Sequence, residues 1–228
     1  MDEINNYQII KINKIMNKFN KQKVNLVWIT PNVEEVITYC ARVSSSEQNL
    51  DNKERLLKYL INNKHWSPFE MGSMCVEIIT SRAIGRQILR HRSFSFQEFS
   101  QRYAKVQEFT KVEPRLQSEK NRQGSVEGIS NKLKNKFNVE MEVLLDTIEK
   151  TYNGWIEDGI AKESARFILP ENTITKMYMC GTIRSWIHYI QLRCKNNVQK
   201  EHREISEMIR EILISKFNSL KEILYDEN

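Results

Sequence analysis

Residues 90–103 read Arg-His-Arg-Ser-Phe-Ser-Phe-Gln-Glu-Phe-Ser-Gln-Arg-Tyr, a dense mixture of cationic, polar and aromatic side chains. Neither a core element nor a solvated face requires that mixture. Arginine supplies a rigid fork of donors suited to a phosphate or an imide, and aromatic rings offer flat walls for a heterocycle. The stretch therefore predicts an anion-binding site, the alternative being an amphipathic segment with a basic rim.

The composition predicts a soluble protein with anionic partners. The chain has 228 residues, enough for one domain of good size, and a formal net charge of +6. This charge suits nucleotides, nucleic acid or an anionic membrane surface, although solvated lysines account for much of the excess. No apolar run is long enough for a membrane span, and the acidic start Met1-Asp2-Glu3 has no apolar signal core. We therefore expect a soluble, cytoplasmic protein.

The cysteines are widely spaced and form no Cys-x-x-Cys pair, which argues against a zinc knuckle or a dithiol motif. They are expected to be free thiols in a reducing compartment: Cys40, Cys75, Cys180 and Cys194. The histidines and carboxylates show no metal-ligand spacing, so no metal is expected.

Hydrophobic periodicity predicts an α+β protein in which helices dominate. Strands are predicted at Val24–Thr30 and Met74–Thr80, with a further one near Val106–Thr110. Helices are predicted at Pro31–Val43, Lys53–Asn62, Ser81–Arg92, Asn131–Asp158, Lys162–Phe167, Thr175–Arg193 and Gln199–Leu224. Residues 104–128 are expected to form an exposed excursion, and residues 1–23 an N-terminal extension of a domain that spans 24–228. The apolar stripes of the helices are expected in the core.

Helical spacing also predicts where several arginines lie. Arg82, Arg86 and Arg90 stand four residues apart and would share one helical face. Arg184 and Arg193 are nine residues apart, so on one straight helix they would face opposite sides and could serve two sites. The alternative is a helix that ends or bends before Arg193.

Two histidines have structural alternatives. His65 lies in a loop rich in functional side chains and could be purely structural. His202 stands beside Glu201 and Arg203 on a predicted helix, and we expect it to be a surface residue.

The central stretch strongly resembles the signature of the flavin-dependent thymidylate synthases, Arg-His-Arg, seven residues, then Ser. Four flanking motifs add to the resemblance, which covers about residues 24–215. They are His65-Trp66-Ser67-Pro68-Phe69-Glu70, Ala165-Arg166-Phe167-Ile168-Leu169-Pro170, Arg184-Ser185 with Leu192-Arg193, and Gln199 with Glu201. The sequence departs from the family at Met71, Gln97, Thr182 and His188.

The resemblance implies a single domain with a mostly antiparallel sheet flanked by long helices. It also implies reductive methylation of dUMP to dTMP, with methylenetetrahydrofolate as carbon donor and NADPH-reduced FAD as hydride donor. The family forms homotetramers with active sites at subunit interfaces, which the two-sided helix of Arg184 and Arg193 weakly supports. Neither a membrane nor a nucleic acid is expected as a partner.

The resemblance also assigns roles to individual residues. It implies dUMP contacts for Gln87, Arg90, Glu98, Phe99, Ser100, Gln101, Arg102, Arg166 and Arg193. It implies FAD contacts for His65, Ser67, Arg90, His91, Arg92, Glu98, Thr182, Arg184 and His188. Arg193 and Ser100 would be catalytic, although we favour a binding role for Ser100 because no general base is evident beside it.

The implied chemistry needs no thiol. The unrelated, folate-oxidising thymidylate synthases carry their nucleophile in a Pro-Cys-His motif, and this chain has none. A guanidinium beside the N3–O4 edge of uracil would instead stabilise negative charge on the ring and raise its nucleophilicity.

Two alternatives stay open. A pyrimidine nucleotide hydroxymethylase on the same scaffold is suggested by the departures at Met71, Thr182 and His188. More remotely, the basic and aromatic stretch could bind single-stranded nucleic acid, although no recognition module is evident.

Overall fold

Contacts along the chain divide it into two compact units, each assembled from separate stretches. The structure, a computed structural model, describes residues 19–46, 52–106 and 108–225. Within these ranges the first unit runs up to Gln22 and adds Thr80–Gly85 and Phe99–Thr175, and the second contains Lys23–Ile79, Arg86–Glu98 and the chain from Lys176 onward. The predicted N-terminal extension, residues 1–23, lies mostly outside the described residues.

Strands and helices are interspersed along the described chain. The strands are β1 (Phe19–Asn20), β2 (Lys23–Ile29), β3 (Ser73–Ser81), β4 (Ser95–Glu98), β5 (Phe109–Thr110), β6 (Leu116–Gln117), β7 (Ser125–Val126) and β8 (Ile174–Thr182). The helices are α1 (Val33–Ala41), α2 (Lys53–Asn62), α3 (Arg82–Ile88), α4 (Asn131–Glu157), α5 (Lys162–Ala165), α6 (Ile183–Arg193), α7 (Lys200–Lys216) and α8 (Lys221–Tyr225). Short 3₁₀ helices lie at Ser67–Glu70, Arg166–Ile168 and Asn218–Leu220. None of the described helices has the length and apolar composition to cross a membrane.

The largest sheet of the described chain has the strand order β2-β3-β8-β4 and lies mainly in the second unit. β2 pairs antiparallel with β3, and the register shifts between Leu26 and Trp28. β4 pairs antiparallel with β8, from Ser95 opposite Cys180 to Glu98 opposite Met177. The predicted α+β class with antiparallel strand pairs is confirmed. Because β4 continues the central stretch, this pairing fixes the path of the chain that follows Arg92.

The predicted helix at Thr175–Arg193 is wrong in its first half, which forms strand β8. Thr175, Met177 and Met179 are buried and alternate with exposed Lys176 and Tyr178. This period of two is that of a strand with one buried face, whereas methionine and threonine do not by themselves exclude a helix. The helix α6 begins only after Thr182, whose hydroxyl oxygen accepts a hydrogen bond from the Ser185 backbone N–H at 3.3 Å.

The helix predicted at Ser81–Arg92 is too long. Ser81 does cap it, because its hydroxyl oxygen accepts from the Ile84 backbone N–H at 3.3 Å, but α3 ends at Ile88. Arg90 follows in a turn, so it does not continue a helical face from Arg82 and Arg86. The prediction that Arg82, Arg86 and Arg90 share one helical face is therefore wrong, because Arg90 lies in the loop after the helix.

The last predicted helix, Gln199–Leu224, is interrupted at Phe217. That residue has a non-helical backbone (φ −142°, ψ 73°) and a fully buried side chain, and a 3₁₀ turn and α8 follow it. The burial of one large aromatic side chain thus redirects the chain where the helical pattern alone predicts continuation.

The apolar stripe of α4 is only partly buried, so the prediction that it forms core is confirmed only for its buried residues. Leu145 and Tyr152 are its buried residues, and Tyr152 packs in the first unit with Val106 and Ala165. Leu133 and Leu144 keep 46% and 55% of their surface exposed. In the described part of one chain, therefore, most side chains of this stripe are not fully buried.

A close approach between Gly181 and Phe94 joins the central stretch to β8. A Cβ atom at Gly181 would clash with the Phe94 ring, which also packs on Trp186 with ring centroids 4.6 Å apart. The indole N–H of Trp186 donates to the Met74 carbonyl at 3.0 Å. These contacts hold the start of β4 against the first turns of α6.

We expect Gly181→Ala to lower the free energy of unfolding by about 1–3 kcal/mol, because the added methyl group overpacks a filled site. Gly154→Ala is the matched control: nothing lies within 4 Å of a Cβ at this helical position, so a gain of about 0.5–1 kcal/mol is expected. Urea denaturation of both variants measures the difference. Equal stabilities for the two variants would contradict the close approach.

Candidate active site

The turn after α3 presents two arginines to solvent. The His91 backbone N–H donates to the Ile88 carbonyl at 3.1 Å, and that of Phe94 donates to the His91 carbonyl at 3.3 Å, which closes the turn. Arg90 and Arg92 are both exposed. Among the described residues neither guanidinium pairs with a carboxylate. Two guanidinium groups on one turn, neither of them paired with a described carboxylate, suit an anionic ligand such as a phosphate or diphosphate.

His91, between these arginines, is held by Arg193. The Nε of Arg193, the last residue of α6, donates to His91 Nε2 at 2.9 Å. Burial first, and the Arg193 charge second, lower the pKa of His91 to about 4. The imidazole is therefore neutral at pH 7 and carries its hydrogen on Nδ1. Within the described chain the terminal nitrogens of Arg193 make no other hydrogen bond, so they can pair with a ligand.

His202 is also buried in this part of the structure, so the prediction that it lies on the surface is wrong. The residue is fully buried, and its Nε2 lies 3.0 Å from the Tyr189 hydroxyl oxygen. Burial first, then the charges of Arg193 and of His91 if protonated, lower its pKa to about 3. The sequence held a signal for this position, because His202 stands three residues before Ile205 and seven before Ile209, on the buried stripe of α7.

Hydrogen bonds continue from His202 to solvent through two amides. His202 Nδ1 lies 3.2 Å from Gln87 Oε1, Gln87 Nε2 donates to Gln199 Oε1 at 2.7 Å, and Gln199 Nε2 donates to Glu201 at 3.0 Å. An amide oxygen can only accept, so His202 carries its hydrogen on Nδ1 and Tyr189 donates to Nε2. In this chain of hydrogen bonds each group donates to the next, and the last acceptor is the Glu201 carboxylate.

A second group of predicted residues lies around the start of α6. Arg184 forms an ion pair with Glu70. His188 packs edge-on against Trp66, with ring centroids 4.6 Å apart, and partial burial first and the charge of Arg184 second lower its pKa. His65 and Ser67 are exposed beside Trp66. Because α6 is unbroken from Ile183 to Arg193, Arg184 and Arg193 lie half a turn out of phase, as their spacing predicts.

The other predicted substrate residues belong to the first unit. The Ser100 hydroxyl oxygen accepts from the Arg102 backbone N–H at 3.3 Å, and Gln101 is buried. Arg102 pairs with Glu163 at 3.2 Å in an exposed ion pair. Arg166 begins a 3₁₀ turn, with its guanidinium carbon 6.0 Å from the Phe167 ring centre. Phe99 packs against the Tyr152 core. In the described chain no histidine or carboxylate bonds to Ser100, which agrees with a binding role.

Comparison with known proteins identifies the family. The family model described as thymidylate synthase complementing protein matches residues 25–217. The chain is 49% identical over 194 residues to a probable flavin-dependent thymidylate synthase of Paramecium bursaria Chlorella virus 1, covering 84% of this chain and 90% of that protein. The chain belongs to the flavin-dependent thymidylate synthase family. A family member from Synechocystis is also 49% identical, over 184 residues that cover 81% of this chain and 86% of that protein.

Solved structures agree with this family at the level of the fold. A UMP/dUMP methylase, PolB from Streptomyces cacaoi, bound with 5-bromo-dUMP, superposes with a TM-score of 0.78 at 23% sequence identity. The superposition covers 89% of this chain and 95% of the PolB chain.

Two thiols of this family member, those of Cys75 and Cys194, are poor nucleophiles. All four cysteines are free, as predicted. Cys75 and Cys194 are buried, and burial is the main cause that raises the pKa of each thiol. A thiol that stays protonated does not attack a pyrimidine ring readily. This environment agrees with chemistry that does not use a cysteine adduct.

The buried imidazoles predict acid sensitivity. A histidine whose pKa falls on folding stabilises the native state above its unfolded value of about 6.5, and this stability is lost as pH falls toward the folded value. For His202 the window runs from about 6.5 down to its folded pKa of about 3. We expect the free energy of unfolding of wild type to fall by about 1.4 kcal/mol per pH unit more than that of His202→Asn, which cannot take up a proton.

Urea denaturation between pH 7 and pH 5 measures this difference. His65→Asn, which changes an exposed histidine, is the matched control and should keep the wild-type slope. A slope that His202→Asn leaves unchanged would show that His202 is not buried as a neutral imidazole.

Proposed function

We propose that the protein is a flavin-dependent thymidylate synthase that converts dUMP to dTMP. Methylenetetrahydrofolate is the carbon donor, and NADPH-reduced FAD is the hydride donor. The observation that carries the proposal is the pair of Arg193 and neutral His91, which leaves the end of the guanidinium free beside the turn of Arg90 and Arg92. The family match and the 49% identical relatives named as flavin-dependent thymidylate synthases support it.

The residues of the second unit fit a flavin dinucleotide. Arg90 and Arg92 supply cationic donors for its diphosphate, and His91 and His188 are uncharged rings that can lie against a heterocycle. The FAD contacts are proposed for His65, Ser67, Arg90, His91, Arg92, Glu98, Thr182, Arg184 and His188. When bound and reduced, FAD supplies the hydride that completes the methyl group. The protein supplies position, charge and exclusion of water.

Arg193 activates the pyrimidine. Its terminal nitrogens donate to the N3–O4 edge of uracil, where they stabilise negative charge and make C5 a better nucleophile toward the methylene carbon. His91 accepts from Nε and keeps the guanidinium fixed during this step. As long as His91 stays neutral, it adds no positive charge beside the Arg193 cation.

Further dUMP contacts are proposed residue by residue. In the second unit they are proposed for Gln87, Arg90 and Glu98. In the first unit they are proposed for Phe99, Ser100, Gln101, Arg102 and Arg166. The exposed ion pair of Arg102 and Glu163 is the contact most easily exchanged for a phosphate, because surface ion pairs contribute at most about 1 kcal/mol.

The protein acts as a homotetramer with active sites at subunit interfaces. The support from this chain is the apolar surface of α4, where Leu133 and Leu144, two residues of the predicted stripe, are each about half exposed. Apolar side chains in one stripe favour a protein partner. Light scattering should give four times the mass of the chain, and a monomer would contradict this part of the proposal.

An anaerobic assay tests the proposed function. Wild-type protein should purify yellow or take up FAD, and with dUMP, methylenetetrahydrofolate and NADPH it should release tritium from 5-tritiated dUMP and form dTMP. Mass spectrometry of the product separates a methyl from a hydroxymethyl group. A protein that does not bind FAD, or that makes no dTMP with all substrates present, would contradict the proposal.

A further inference from the structure

Gln87 is the residue through which the buried hydrogen-bond chain reaches the proposed substrate site. Its side chain is half-buried at the end of α3, next to the turn of Arg90. Both atoms of its amide already have one partner: Oε1 faces His202 Nδ1 at 3.2 Å, and Nε2 donates to Gln199 at 2.7 Å. Among the described residues the amide has no third partner, so one N–H and one lone pair of the oxygen are left for a ligand. The two partners determine which side of the amide carries the N–H and which carries the oxygen.

An amide side chain without such partners has two orientations, related by a flip that exchanges oxygen and nitrogen. In the wrong orientation, Gln87 would present an acceptor where a pyrimidine carbonyl needs a donor. His202 prevents this flip, because its Nδ1–H can pair with the amide oxygen and not with the amide nitrogen. The oxygen of Gln199 opposes the flip from the other side, and Glu201 fixes Gln199 in turn.

We propose that His202 is a positioning residue that, together with Gln199, fixes the orientation of the Gln87 amide for dUMP. Tyr189 is buried, and its hydroxyl oxygen lies 3.0 Å from His202 Nε2, so it can donate to this nitrogen when Nδ1 carries the imidazole hydrogen that faces Gln87. This inference rests on the proposed function, which places Gln87 at the pyrimidine. It adds two residues, His202 and Gln199, to which that function assigns no contact with the substrate.

Two substitutions of His202 separate a positioning role from a structural one. The amide nitrogen of asparagine reaches as far as imidazole Nδ1, so His202→Asn keeps the donor to Gln87 and loses the acceptor for Tyr189. The amide of glutamine reaches as far as Nε2, so His202→Gln keeps the acceptor for Tyr189 and loses the donor to Gln87. Both variants place a neutral amide in the same buried position, and a comparable loss of stability is expected for both.

The expected results differ for the substrate. In His202→Gln the dissociation constant of dUMP, measured by calorimetry, and the KM for dUMP should rise about five- to tenfold, while kcat changes less than twofold. In His202→Asn both values should stay within about twofold of wild type. Gln199→Met removes the second partner of Gln87 at an exposed position, and it should raise the dissociation constant as well.

The dUMP affinities of these variants can each contradict the positioning role. Equal affinity for dUMP in His202→Asn and His202→Gln would overturn the positioning role. If His202→Gln does not fold, wild-type affinity in Gln199→Met would overturn it instead. Failure of the proposed function would look different, since wild-type protein itself would then neither bind dUMP in the calorimeter nor form dTMP.

Discussion

Arg193→Ala is expected to lower kcat at least about a hundredfold while the protein still binds FAD. In the proposed function this guanidinium stabilises negative charge on the pyrimidine, and loss of one such preorganised donor costs about 10²–10³ in rate. It sits at the end of α6 with Nε held by His91, so the change removes a fixed charge and leaves the flavin contacts in place. Tritium release from 5-tritiated dUMP measures turnover, and flavin absorbance measures the retained FAD.

Two variants control this experiment. Lys195→Ala removes an exposed cation two residues further along the chain and should keep wild-type turnover. Arg193→Lys keeps the charge and loses the planar fork, so it should recover only part of the rate. Wild-type turnover in Arg193→Ala would exclude the activating role, and loss of FAD together with the rate would indicate that Arg193 binds the cofactor instead.

Local patterns predicted the elements whose signals lie within a few residues of one another. α2 runs from Lys53 to Asn62, as its leucine spacing predicts, and the long helix α4 begins after the capping residue Ser130. The Arg-His-Arg turn carries its cationic groups in adjacent side chains, so a single stretch predicts an anion site, and that site stays a prediction. Sequence patterns are most informative where a feature needs no distant partner.

The errors occur where tertiary contacts decide the structure. β8 is a strand because it lies between β3 and β4, and the sequence from Ile174 onward carries no local signal for pairing with those strands. His202 looks like a surface residue beside Glu201 and Arg203, and it becomes a buried one because α7 packs on α6, which carries Tyr189. The partner of Gln87 stands 115 residues away in the chain. No local period can predict a hydrogen bond across that separation.

Replacing both Arg90 and Arg92 with alanine is expected to weaken FAD binding about a thousandfold. Each charge-assisted hydrogen bond to a diphosphate contributes about 1.5–3 kcal/mol, and the two arginines lie on one turn with no carboxylate partner among the described residues. Each single variant should lose a smaller share, and the stability of the protein without flavin should be unchanged because both side chains are exposed. Fluorescence titration of purified protein with FAD measures the affinities.

The matched control is Arg55→Ala, which removes an exposed arginine from α2 in the same unit. It lowers the net charge by the same amount as either single variant, so it separates a local contact from the general field of a basic protein. Raising the salt concentration should weaken FAD binding in wild type more than in the double variant, because the double variant has already lost the charges that salt screens. Wild-type affinity in the double variant would place the diphosphate elsewhere.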